Sequence, residues 1–253
     1  MKLHYKSYGS GSPIIILHGI FGMGDNWTSI AKKLADDNLV ILPDMRNHGR
    51  SEHSSTFNLE VTAEDLKELM IELSLEKAVI VGHSMGGKIA MTFALKYPEQ
   101  CSELIIIDIA PRQYTRGHDT IFAALRNTDI QLTNDRSEIE HALLKLIPEI
   151  STVQFLMKSL ARNAAGNGFY WRFNLQSLYE NYDNIIMPIN TNKVYSGPVL
   201  FIRGADSNYI SEADKETILN LFPTAKMITV KNAGHWVHAD QPELITRILA
   251  HRT

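Results

Sequence analysis

The chain has 253 residues, 25 basic and 28 acidic side chains (net charge −3), 44% apolar and 21% charged residues; it is long enough to bury a core in one or two domains, and this balance excludes long-range disorder and an electrostatic platform for nucleic acid or an anionic membrane. Cys101 is the sole cysteine, so neither an internal disulfide nor a Cys-based zinc cluster can form. No apolar run nears the ~18–20 residues of a membrane span, and Met1–Lys6 carries no apolar secretory segment, so the expectation is a soluble cytoplasmic protein.

Taken in order, Lys2–Tyr8 alternates weakly and fits an outer strand. Short apolar runs follow at Ile14–Leu17, Leu39–Leu42, Ala78–Val81, Leu104–Ile107, Val199–Ile202 and Met227–Val230. Continuous runs of this length suit strands covered on both faces, as in a parallel sheet. Between them lie helical patterns at Asn26–Asp36, Val61–Leu73, Gly86–Tyr97, Ser211–Leu221 and Gln241–Ala250. In the second, Leu66, Leu69, Met70 and Leu73 make one stripe; Pro98 stops the third. The alternation predicts an α/β fold with a mostly parallel central sheet flanked by helices.

From Pro111 to about Ser196 the rhythm breaks. No strand run stands out, and helices are expected at Asp119–Arg126, Arg136–Ile147, Thr152–Leu160 and Trp171–Tyr182, with Ala165-Gly166-Asn167-Gly168 as a breaker. A loop of that length is improbable. The expectation is therefore a core of residues 1–110 and 197–253 around a helical insertion, 111–196.

Gly82-His83-Ser84-Met85-Gly86 fits G-x-S-x-G. Three fixed positions at ~7% each arise by chance in about one of ten such chains, so the context carries the signal. The motif directly follows a predicted strand and opens a predicted helix. Such a turn strains its central residue, demands small neighbours two positions away, and lifts the serine hydroxyl above the carboxyl edge of the sheet. Serine then needs a base. Of ten histidines, His235 in Ala233-Gly234-His235-Trp236 is the best placed, in the loop after the final strand. His83 should point away from Ser84, His18 suits a structural hydrogen bond, and His238 starts to turn into the last helix. The orienting carboxylate must share that edge. Asp108 and Asp206 each follow a core strand, and spacing alone does not separate them. Oxyanion donors are expected at Met85 N–H and, from His18-Gly19-Ile20-Phe21-Gly22, at Ile20 N–H with Phe21 behind it. His235 and His238 stand i and i+3, but no third ligand supports a metal pair. Arg46, Asn47 and His48 are read as hydrogen-bonding the loops of the sheet edge. Trp171, Phe173 and Phe155 are read as core of the insertion, Cys101 as a small buried hydrophobe, and Tyr114 and His118 as candidates for a pocket border.

These residues resemble the α/β-hydrolase superfamily, and within it the small YbfF-type bacterial esterases and their mitochondrial relatives. Beside the serine and histidine motifs, Asp44-Met45-Arg46-Asn47-His48-Gly49, Asp108-Ile109-Ala110-Pro111 and Trp171-Arg172-Phe173-Asn174-Leu175 carry the likeness, the last two being the more specific. The resemblance implies Asp108 as the third triad member, Asp44 coming too early for the order Ser, Asp, His. The position of Asp206 is often asparagine in relatives. It also implies a helical cap and hydrolysis of esters with short to medium acyl chains through an acyl-enzyme, with no cofactor or metal. Acyl thioesters are the alternative substrate, and a binding protein on the hydrolase scaffold is the alternative from another class. The expected partner is a small-molecule ester or thioester; monomer or weak dimer is left open.

Overall fold

The six apolar runs become parallel strands of one sheet, the central ones covered on both faces and the last, at the edge, largely exposed. The computed structural model describes residues 1–164 and 166–252, so Ala165 of the breaker lies outside the described residues. The chain runs β1 (Tyr5–Tyr8), β2 (Ser12–Leu17), α1 (Thr28–Leu34), β3 (Asn38–Pro43), α2 (Leu59–Glu72), β4 (Ala78–His83), α3 (Met85–Lys96) and β5 (Cys101–Ile107). It continues through α4 (Asp119–Asn127), α5 (Arg136–Leu144), α6 (Ile150–Lys158), β6 (Leu160–Arg162), β7 (Phe169–Trp171), α7 (Leu175–Glu180) and α8 (Tyr182–Ile186). Last come β8 (Val199–Gly204), α9 (Lys215–Leu221), β9 (Ala225–Val230), α10 (Val237–Asp240) and α11 (Pro242–Ala250).

The large sheet has the order β1-β3-β2-β4-β5-β8-β9. Only β1 is antiparallel, at the edge predicted for Lys2–Tyr8. Alternate residues of each strand serve opposite faces. Ile14, Ile16, Val40, Val81 and Ile105 share one buried cluster with Ile30 and Leu34 of α1 and Ile245 and Leu249 of α11. Ile15, Leu17, Ile80 and Ile106 share the other with Leu66 and Met70 of α2 and Ile89 and Phe93 of α3. From β2 the chain steps to β3 on one side and then returns to place β4 on the other. Strand order reverses there, and the crevice beyond the carboxyl ends of β2 and β4 opens at that reversal. The loop His18–Gly22 and Ser84 follow those two strands.

Residues 111–196 add no strand to the large sheet. They are not strand-free, however: β6 and β7 pair antiparallel, Leu160 with Trp171 and Arg162 with Phe169. Two three-residue strands are too short for an alternation to show, so Leu160 reads as a helix end. Trp171 likewise closes β7 instead of starting a helix, and the helical stretch behind it splits at Asn181 into α7 and α8. Lys88 of α3 ties the segment to the core, its ammonium donating to the carbonyls of Arg112 (2.8 Å), Ile186 (3.3 Å) and Met187. Asn47 adds a second tie, accepting from Asn174 N–H and donating to Ser177 Oγ. Cys101 is buried as expected, but as the first residue of β5.

Candidate active site

Ser84 sits between β4 and α3 at φ 53°, ψ −120°, a left-handed backbone that L-residues adopt only when their surroundings enforce it. Two glycines permit the turn. A Cβ on Gly82 would strike the Gly86 carbonyl, and one on Gly86 would strike the carbonyls of Leu17 and His18. Ser84 N–H is anchored on Ile107 O at 3.1 Å. The hydroxyl is thereby raised at the N-terminus of α3, whose first N–H groups have no partner inside the helix.

Ser84 Oγ donates to His235 Nε2 at 3.0 Å, and His235 Nδ1–H donates to Asp108 Oδ2 at 2.9 Å. Asp108 follows β5, is fully buried, and is itself turned to φ 53° over the sheet edge. Its other oxygen accepts from Gly204 N–H at 3.0 Å, while Ser207 Oγ–H shares Oδ2. Asp206 is exposed, and among the described residues its carboxylate has no hydrogen-bond or ionic partner. The carboxylate against His235 is therefore Asp108. Such a chain can accept the serine proton at imidazole while the carboxylate balances the cation formed.

The loop after β2 is shaped for main-chain donation. Phe21 adopts φ 63°, its N–H donates to His48 Nε2 (3.3 Å), and its carbonyl accepts from Ser159 Oγ (2.8 Å). Phe21 N–H is thus engaged. Among the described residues Ile20 N–H and Met85 N–H have no acceptor, which leaves both available to an oxyanion.

The remaining histidines are structural neighbours. His18 Nε2 accepts from Met45 N–H (3.0 Å), and His83 Nε2–H donates to the His235 carbonyl (2.9 Å). Burial holds His18, His48 and His83 below the usual imidazole range. Burial and the nearby His235 push His118 down to about 4 and His238 to about 3, with Lys158 adding to the latter. Arg46 pairs through two bonds with buried Asp65, at 2.6 and 2.8 Å. Arg46 and His48 also bond the carbonyls of Thr56 and Arg46 in the loops at this edge, while Arg46 reaches α2 and Asn47 reaches α7. Among the described residues no three His, Cys, Asp or Glu side chains converge on a metal position.

Two cavities flank Ser84. One is bordered by His235, Trp236, His238, Trp27 and Phe155. The other is bordered by Met85, Ile109, Ile185, Tyr114 and Lys88. His118 and Ile20 line both, which puts His118 at the pocket border as expected, and Tyr114 with it. Sequence reasoning missed Ser207, and also Tyr209, whose ring stacks on His235 at 3.6 Å between centroids. Both lie within three residues of Asp206, so the strand end that suggested Asp206 held the available signal. Lys88 was visible in the motif without its partners. Burial and the Arg112 charge lower its amine to about 7.

A family model described as the alpha/beta hydrolase fold matches residues 12–242. The chain is 35% identical to Esterase YbfF of Escherichia coli, over 98% of each chain. It is 38% identical to an sn-1-specific diacylglycerol lipase, ABHD11, of Danio rerio, over 94% of this chain and 77% of that one. Among solved structures it is similar to a marine microorganism esterase, with a TM-score of 0.96 and 40% identity over 98% of both chains. No helix among the described residues is long and apolar enough to cross a membrane.

Proposed function

The chain belongs to the α/β-hydrolase family and hydrolyses esters, and on that premise we propose a serine carboxylesterase for short to medium acyl chains that works through Ser84, His235 and Asp108. The observation that carries this reading is the unbroken hydrogen-bonded path from Ser84 Oγ through His235 to Asp108 Oδ2. His235 Nε2 takes the hydroxyl proton as Ser84 Oγ attacks the ester carbonyl. Ile20 and Met85 N–H groups hold the resulting oxyanion. Nε2 then returns the proton to the departing alcohol, leaving an acyl group on Ser84. Water, deprotonated by the same nitrogen, releases the acid. Asp108 keeps the Nδ1–H tautomer in place and offsets the imidazolium charge. Residues 111–196 act as a cap over the two cavities. Esters are the substrate class and thioesters the alternative.

Ser84→Ala should fold normally and lose p-nitrophenyl butyrate turnover by about 10⁴-fold or more. A fluorophosphonate probe should label wild type at Ser84 and leave the variant unlabelled. Undiminished turnover by Ser84→Ala removes the proposal.

A further inference from the structure

His238 lies three residues beyond His235 and has no part in the proton path. Its ring is buried, stacked on Trp27 with centroids 4.1 Å apart and planes at 17°, and lines the cavity that holds His235. Among the described residues no partner meets its Nδ1. Nδ1 is sealed, whereas Nε2, which likewise has no hydrogen-bond partner among the described residues, is not, and an open, unpartnered ring nitrogen of a residue in a cavity wall can meet a group that arrives from outside. Three polar side chains of the other cavity are, by contrast, engaged. Lys88 serves three carbonyls, Tyr114 hydroxyl donates to Tyr209 O (2.6 Å) and accepts from Ala110 N–H (2.7 Å), and Tyr182 hydroxyl bonds His118.

Ester chemistry assigns the two cavities. The departing oxygen must receive its proton from His235 Nε2, so the alcohol half occupies the cavity bordered by His235. The acyl half then falls on the Met85 and Ile109 side. Both the His235 and the His238 rings pack on His83, at 4.8 and 4.7 Å between centroids, so only a few carbons separate a departing oxygen from a group at His238. The imidazole is held neutral, as are His18, His83 and His118 around the same cavity. A neutral ring nitrogen suits a hydroxyl, which can both donate to it and accept from it.

Building on the esterase reading, we infer that His238 hydrogen-bonds a free hydroxyl on the alcohol half of the substrate, selecting esters of diols and polyols over those of simple alcohols. The alcohol enters and leaves by one route, so it can be probed in reverse. With p-nitrophenyl butyrate, the butyryl group on Ser84 passes to water or to an added alcohol. In the second case the alcohol oxygen forms the new ester bond, its proton goes to His235 Nε2 and on to Ser84 Oγ, and the acyl–Oγ bond breaks. Propane-1,2-diol and propan-1-ol are compared at equal concentration, with the butyrate esters measured by gas chromatography.

Wild type should form diol ester over propyl ester by about tenfold, because a site built for a hydroxyl discriminates against its absence. His238→Phe, which retains a ring against Trp27, should bring the ratio to about one, and His238→Gln should restore part of it. A wild-type ratio near one overturns the inference, and so does an elevated ratio that His238→Phe leaves intact. The wild-type ratio needs no variant to fold. Absence of p-nitrophenol release altogether strikes the esterase reading instead.

Discussion

The sheet edge and the inserted segment contribute to the same cavities by different means. Ser84 and Asp108 both stand at the ends of buried central strands, both at φ 53°, with the positions enforced by close backbone contacts and fully paired neighbours. Residues 111–196 supply walls such as Phe155, Thr152 and Tyr182 from short helices held to the core through Lys88 and Asn47. The reacting groups are placed where strain is over-determined, and the walls where substitution costs less. A change at Ser84 or Asp108 should therefore act on kcat, and a change in the cavity walls, whether in the segment or at His238, on substrate choice.

The sharpest way to break that contrast is at the carboxylate. Asp108→Asn should lower kcat/KM on p-nitrophenyl butyrate by about 10⁴-fold with little change in stability, since an amide stabilises the wrong imidazole tautomer. Asp206→Asn should change it by less than about twofold, given its exposure and lack of partners. Comparable losses in the two variants abolish the assignment of the acid.

That pair also marks where sequence stops being legible. The central strands are readable because each is a run rich in Ile, Val and Leu covered on both faces, and Ser84 because a strand, a glycine-flanked turn and a helix coincide around it. Asp108 and Asp206 follow neighbouring strands β5 and β8, so residue order offers both; the left-handed backbone that turns Asp108 toward His235 is a tertiary outcome. Phe169-Tyr170-Trp171 reads as the approach to a helix because three residues carry no period, and only pairing with Leu160–Arg162 makes them a strand. Ser207 is a plain loop serine until Asp108 stands beside it.

Acid should test the seam between the two regions. His118 comes from the segment and His238 from the core, with pKa values lowered to about 4 and about 3. As pH falls below ~6.5 the unfolded chain takes up protons first, so stability is whole above that pH and is lost on the way down toward the folded values. At pH 5 the loss is about 2 kcal/mol per group. Denaturant midpoints at pH 7 and pH 5 should differ by at least that much, buried His18, His48 and His83 adding to the loss with the same sign, and His238→Gln should narrow the gap; an unchanged gap in that variant excludes His238 as a source. Lys88→Met tests the tie itself. Three main-chain carbonyls lose their donor, at a cost of about 3 kcal/mol. Proteolysis within 111–196 should quicken. A fall in kcat with unaltered stability would instead move Lys88 into substrate handling.

The smallest effect concerns the support of Asp108. Ser207 Oγ–H donates to Asp108 Oδ2, the oxygen that also receives His235, and accepts from Tyr209 N–H at 3.2 Å. Because the Tyr209 ring covers His235, one hydroxyl fixes both the carboxylate and the stacking partner of the base. Gly204 N–H remains on Oδ1 when that hydroxyl is removed, so Asp108 stays in place with more freedom to rotate. A hydrogen bond to a charged group is worth about 1.5–3 kcal/mol, of which a partly compensated fraction should appear in the barrier. Ser207→Ala should accordingly lower kcat by about tenfold with KM nearly constant, and Ser207→Thr should recover most of it. A drop confined to KM would place Ser207 in the cavity wall, and equal losses in the alanine and threonine variants would point to packing instead of the hydroxyl. Either result would confine positioning at the sheet edge to the backbone and erase the distinction between a side chain that orients the acid and one that merely fills the loop.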